Sequence, residues 1–219
     1  MNIAFNDKTY TVTPVKTDKV LVGDECLPIF QKALESKVSE KSKLVVIAES
    51  VVAISQGRAW KIKDIKPRFL ARTLSKFVRR VPHGIGLREP ETMELAFREY
   101  SAARIIFAAF IAALTRPFVK GMFYRIVPRA ALIDGPCSYT LPPFNEYATM
   151  GPIRPVETAK ELANGLGVDV AIVDANDFGT KCLGASKKEF YRLAEIATAK
   201  NPHGQSCQQT PIVLVELAD

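Results

Sequence analysis

The run Ile105 to Leu114 (IIFAAFIAAL) is the longest unbroken apolar stretch of the chain, and its 10 residues are about half of what a membrane-spanning helix needs. It reads as a helix buried in a protein core. A chain of 219 residues, 47% of them apolar, has ample material for such a core in one large domain or two small ones, which excludes a disordered or fibrous protein. The start MNIAFNDKTYTV lacks a basic stretch leading into an apolar segment and a small-residue cleavage site. A cytoplasmic protein with no secretory leader and no membrane partner is therefore expected. Cys26, Cys137, Cys182 and Cys207 lie far apart without a Cys-x-x-Cys, and His83 and His203 are the only histidines. Neither a structural zinc site nor a disulfide framework is expected.

Lys and Arg outnumber Asp and Glu by 30 to 23, a net charge of +7. Residues 61 to 80 (KIKDIKPRFLARTLSKFVRR) carry eight cations against Asp64 alone, which accounts for the whole excess. Phe69, Leu70, Thr73, Leu74, Phe77 and Val78 fall near helical spacing, leaving the cations on the opposite face. That face reads first as solvated, and second as an anion site for phosphates or acidic substrates. Nucleic acid is not expected, because no stacking rings are interleaved with the exposed cations.

Ile3, Phe5, Tyr10 and Val12 alternate around Asn6-Asp7-Lys8, the pattern of an opening hairpin. Gly23-Asp24-Glu25 precedes a helix, LPIFQKALESKV, whose N-terminal dipole suits the acidic pair. Lys43 to Ala48, Val51 to Ile54, and Trp60 with Ile62 beyond the Gly57-Arg58 turn read as strands. Pro90 to Leu114 is the longest helical stretch, opened by Pro90 and stopped at Arg116-Pro117. Gly121 to Val127 and Ala130 to Ile133 read as strands, followed by a long irregular loop from Gly135 to Pro155. Val156 to Leu166 is a helix closed by Gly167, Val168 to Val173 a strand, Ser186 to Lys200 a helix and Pro211 to Leu217 a terminal strand. The pattern is a mixed α/β (α+β) fold, with mixed sheets and flanking helices. With no repeat and no flexible linker, the expectation is a single domain over residues 1 to 219, with two subdomains of unassigned boundary as the alternative.

In VDVAIVDANDFG an apolar strand delivers Asp174, Asn176 and Asp177 together at its C-terminal end. Such oxygen donors suit a hard cation such as Mg²⁺ bound with substrate phosphates, or they form an Asx-rich turn; the spacing leaves both open. Asp134, in IDGPCSYTLPPFNEY, could join Asp174 or Asp177 across a cleft and hold a second metal, or serve only as a turn former. His83 in VPHGIG reads as a surface group rather than a phosphate contact, and NPHGQSCQQTP reads as a connection. No Gly-x-x-x-x-Gly-Lys-Ser/Thr, Gly-x-Gly-x-x-Gly or Gly-x-Ser-x-Gly occurs, so any nucleotide site is unorthodox.

Taken in order, VGDECL, KLVVIAESVVAISQGR, ALIDGPCSY, MGPIRPVETA, DANDFGTKCLG and GQSCQQTPIVLV resemble segments of the coenzyme F-420:L-glutamate ligases, γ-glutamyl ligases that extend a deazaflavin coenzyme. The resemblance implies a mixed α/β fold in an intertwined homodimer, GTP (or ATP) as co-substrate, and Mg²⁺ or Mn²⁺. It places Asp134 at a metal-binding Asp, Asn176 and Asp177 at a metal-binding Asp-Thr pair, and Gln205 near a second-metal Gln. It also implies nucleotide contacts at Glu49, Ser50 and the loop from Gly204 through Gln205 and Ser206 to Pro211, with Pro14 to Thr17 as a further set. The family's nucleotide-binding Lys is Ile54 here, and its Asn after the first Asp is Cys137.

The expected function is a divergent, nucleotide- and metal-dependent γ-glutamyl ligase joining L-glutamate to an acidic acceptor through an acyl phosphate. Cations of the basic segment would bind the acidic acceptor or glutamate. The alternative is a non-catalytic nucleotide- or metabolite-binding descendant. The apolar helix from Ile105 is the expected dimer interface.

Overall fold

The computed structural model describes residues 1–78, 86–119, 121–176, 179–204 and 206–218. Strands β1 (Asn2–Phe5) and β2 (Lys8–Val15) form the opening hairpin; Asn6 and Asp7 both take positive φ, as the two-residue turn that matches strand twist requires. Helix α1 (Cys26–Leu34), strand β3 (Ser42–Ala48), helix α2 (Glu49–Ser55) and strand β4 (Ala59–Lys61) follow. Helices α3 (Phe69–Leu74), α4 (Pro90–Glu99), α5 (Ala102–Thr115) and α6 (Met122–Ile126) lead to strand β5 (Tyr147–Thr149). The chain ends with helix α7 (Pro155–Leu166), strands β6 (Val170–Asn176) and β7 (Gly179–Ala185), helix α8 (Phe190–Thr198) and strand β8 (Ile212–Leu217). The fold is mixed α+β, with two compact units: residues 1–57 with 152–219, and residues 58–151.

In the first unit a six-stranded sheet runs β1-β2-β8-β3-β6-β7, with β3 and β6 parallel and the other neighbours antiparallel. Leu44, Val46, Val173 and Val213 pack with Leu193, Ala194 and Ala197 of α8, while Val45 and Ile47, of opposite strand parity, are also fully buried. Both faces of β3 are thus covered, which is why its sequence is a continuous apolar run instead of an alternation. Pro14 stands on β2 where β1 has already ended: Val12 N–H donates to Met1 O at 2.8 Å, and two residues further on no donor toward β1 is needed. Gly184 of β7 lets the start of α7 approach closely, since a Cβ there would sit 2.5 Å from backbone atoms of Pro155 and Val156.

The second unit is mainly helical, with the β4-β5 ladder against a core that includes Leu87, Met93, Leu95, Ile105, Val127 and Ile133. Several expectations change here and in α2. Val51 to Ile54 is helical, not a strand: α2 is so fully buried that no helical periodicity shows in its apolar run. Pro90 to Leu114 is two helices, because Tyr100 is extended and the Ser101 side chain accepts from Arg104 N–H, opening a new helix. Gly121 to Val127 and Ala130 to Ile133 form α6 and a 3₁₀ segment (Pro128–Leu132) rather than strands; among the described residues no strand pairs with them. The expected loop from Gly135 to Pro155 contains β5, and β7 was not expected at all. The run Ile105 to Leu114 is only half buried: Ile105 and Ala108 face the core, but Ile106, Phe107, Phe110 and Leu114 are exposed. In the basic segment the expected apolar face is kept only in part: Leu70, Leu74 and Val78 pack on the core beside buried Ala71, whereas Phe69, at the start of α3, and Phe77, beyond its end, stand in solvent.

Candidate functional site

Three remote segments of the first unit meet beside the start of α2. Ala48 N–H donates to Pro211 O at 2.9 Å, and Thr17 N–H to Gln209 O at 3.1 Å. Gln209 Nε2 returns a bond to Thr17 O at 3.3 Å. Gln209 holds a positive φ, which turns the loop into β8. Pro14 to Thr17, the first residues of α2 and the loop up to Pro211 are therefore joined through their backbones. Glu49, in the first turn of α2, is buried, and Ser50 beside it is exposed. Gly204 takes a positive φ, and Ser206 donates from N–H and Oγ to Gln208 Oε1 at 2.8 and 3.0 Å.

His203, read from sequence only as part of a connecting loop, is buried. Its Nδ1 lies 3.2 Å from Thr210 O and Thr210 Oγ1 donates to His203 O at 2.6 Å, so the two residues clamp the loop. Burial pushes the imidazole down to about 4, partly opposed by the bond to Thr210. The ring is neutral, with Nδ1–H donating to the carbonyl. Nε2 has no hydrogen-bond partner among the described residues.

At the C-terminal end of β6, the same end of the sheet as the start of α2 because β3 and β6 are parallel with Ala48 opposite Val173, Asp174 pairs across the ladder with Lys181 of β7. Burial pushes the Asp174 carboxyl up, while Lys181 and a hydrogen bond from the Asn176 side chain pull it down. Asn176 itself is exposed. Asp134 lies in the other unit, also exposed, its backbone exchanging bonds with Thr149 at 3.0 and 2.9 Å. Asp177, Gln205 and His83 lie outside the described residues, and among those described no three His, Cys, Asp or Glu side chains cluster as a metal site. Carboxylate and carboxamide oxygens such as those of Asp134 and Asn176 are nonetheless the donor type that a hard divalent cation takes.

In the basic segment, Arg68 is committed to Glu94: Nη2 and Nε donate at 2.7 and 3.0 Å and the backbone N–H at 2.9 Å. Burial alone would push the Glu94 carboxyl up, but these bonds, with the charges of Arg68 and Arg98, hold it below the usual range. Lys63, Lys66 and Lys76 are exposed.

Residues 14–116 match the family described as F420-0:Gamma-glutamyl ligase. No curated protein matches the chain. Glu49, Ser50 and Ile54 fall inside the matched segment; Asp134, Asn176, Asp177 and Gln205 lie beyond it.

Proposed function

From the membership of residues 14–116 in the F420-0:gamma-glutamyl ligase family, we propose that the chain is a nucleotide-dependent amide ligase joining L-glutamate to an acidic acceptor. The family match carries this reading. A carboxylate is a poor acylating agent, so a carboxylate oxygen of the acceptor attacks the terminal phosphorus of GTP or ATP and the nucleoside diphosphate leaves. The glutamate amine then attacks the acyl carbon, inorganic phosphate departs with the C–O bonding pair, and the amine loses a proton to solvent or buffer. The protein's part is positioning and charge neutralisation.

Glu49, Ser50, Gly204, Gln205 and Ser206 are the proposed nucleotide contacts, supported by the bonds that join the flanking residues Thr17, Ala48, Gln209 and Pro211. Asp134, Asn176, Asp177 and Gln205 are the proposed ligands of Mg²⁺ or Mn²⁺, which when bound would offset phosphate charge. Exposed Lys63, Lys66 and Lys76 are available to an acidic acceptor, whereas Arg68 is held by Glu94.

One observation favours a second reading, a non-catalytic nucleotide or metabolite binder: Ile54, standing for a family nucleotide-binding Lys, is 7% exposed. A phosphate-release assay with GTP or ATP, Mg²⁺, glutamate and a deazaflavin or other acidic acceptor separates the two. Release that needs both acceptor and glutamate supports the ligase. Thermal stabilisation by nucleotide without release under any acceptor moves the reading to the binder.

A further inference from the structure

Helix α5 turns a continuous apolar stripe to solvent. Ile106, Phe107, Phe110, Leu114 and, just past the helix, Phe118 recur at three- and four-residue spacing and are 45% to 88% exposed. The opposite side, at Ile105 and Ala108, is sealed into the core of its unit. Monomeric proteins rarely leave so large a patch uncovered without a use for it.

The charges around the stripe say what covers it. Residues 100 to 133 contain no Asp or Glu, but they contain Arg104, Arg116, Lys120, Arg125 and Arg129. Arg104 lies over the Tyr100 ring, 4.8 Å from its centre, and donates to Ile126 O at 2.8 Å, which fixes its guanidinium at the start of the helix. Exposed Arg116 stands at the C-terminal end, and exposed Arg125 lies on α6, which packs against α5. The whole unit from residue 58 to 151 holds 16 Lys and Arg against 7 Asp and Glu.

We propose that this face docks on an anionic lipid bilayer, with the Phe107, Phe110 and Phe118 rings entering the headgroup boundary and Arg104, Arg116 and Arg125 meeting lipid phosphates and carboxylates. This is the composition of helices that lie in a membrane surface, and no helix among the described residues is long and apolar enough to cross one. A second copy fits less well, because a two-fold pairing of the stripe would set cations against cations with no carboxylate in the segment to pair them. Nucleic acid fits less well too, since Ile106 and Leu114 offer bases nothing to stack on. The docking departs from the expected absence of a membrane partner, since neither the length of the apolar run nor the lack of a leader bears on binding at a membrane surface.

The full chain is to be sedimented with vesicles of phosphatidylcholine alone and of phosphatidylcholine with about one third phosphatidylserine. Binding to the anionic vesicles only, weakening as salt rises, is the expected result. The pair Phe107→Ser with Phe110→Ser should lower binding about tenfold or more. Arg116→Glu with Arg125→Glu should do the same; all four sites are exposed, and melting temperature checks that the variants fold. Equal binding to both vesicles, or no binding to either, overturns the proposal. So does a dimer mass in light scattering that the Phe pair reduces to monomer, or binding to polyuridine that displaces the vesicles.

Discussion

Arg58 donates from Nη2 to Glu99 Oε2 while its Nε donates to Gly151 O at 2.6 Å, so one guanidinium, anchored by the Glu99 carboxylate, ties the first residue of the 58–151 unit to the last. Arg129 donates from Nε to the other oxygen of Glu99. The Glu99 side chain is 11% exposed, so removing it leaves two guanidinium groups close together with their shared counter-charge gone. Glu99→Ala should cost about 3 kcal/mol, a fall of roughly 6–12 °C in melting temperature for a chain of this size. Calorimetry checks it, and a change within about 1 kcal/mol would mean that the three side chains do not hold the ends of the unit.

The Arg68–Glu94 pair makes stability depend on acid. The folded carboxyl lies below its ordinary value of 4.5, so its contribution is complete above that value and is lost as pH falls through and below it. Glu94→Gln should be less stable than the native chain at neutral pH yet lose less on acidification below about pH 4.5. Parallel melting curves for the two chains would expose the error if the native protein were the less acid-sensitive one.

What the sequence reveals follows from where each signal originates. Asn6-Asp7 and the helix from Val156 to its closing Gly167 were legible because turn chemistry and a C-terminal Gly act locally, and the structure adds Pro155 as the first residue of that helix. Val51 to Ile54 misled because β-branched residues in a fully buried helix show no periodicity. Strand β7 was hidden because it is a sheet edge, and its sequence GTKCLGA carries two glycines and little β-branched character. The oxygen-rich end of β6 could be read in Asp174 and Asn176, but not the partner Lys181, whose register depends on β7. The bond between Thr17 and Gln209 spans 192 positions, so nothing local in either segment announces it.

His203 gives a second acid transition at higher pH. Its folded value of about 4 lies below the ordinary 6.5, so the unfolded chain binds the proton first, and the stabilisation is lost as pH falls from 6.5 towards 4. The loss should be on the order of 3 kcal/mol across that window. His203→Gln removes the titration and should flatten the pH dependence there, leaving the fall below about pH 4.5 that belongs to Glu94. An unchanged slope between pH 6.5 and 4 in the variant would show that the imidazole is not held neutral by the fold.

Ile54 tests how far the family's nucleotide chemistry extends to this chain. Its side chain is buried in α2, and its carbonyl accepts from Gly23 at 3.3 Å and Gly57 at 2.9 Å, so the backbone that carries it is held on two sides. A lysine introduced there loses the apolar packing and must either bury an ammonium or force its chain out past Val51 and Val52, which are buried too. Ile54→Lys should therefore destabilise the protein by about 2–4 kcal/mol without strengthening nucleotide binding. The measurement is thermal shift with GTP and with ATP, in the native chain and the variant, each with Mg²⁺. If the variant melts lower but gains a larger nucleotide-induced shift than the native chain, position 54 reaches the phosphates. Its apolar residue would then be a functional loss rather than a core requirement.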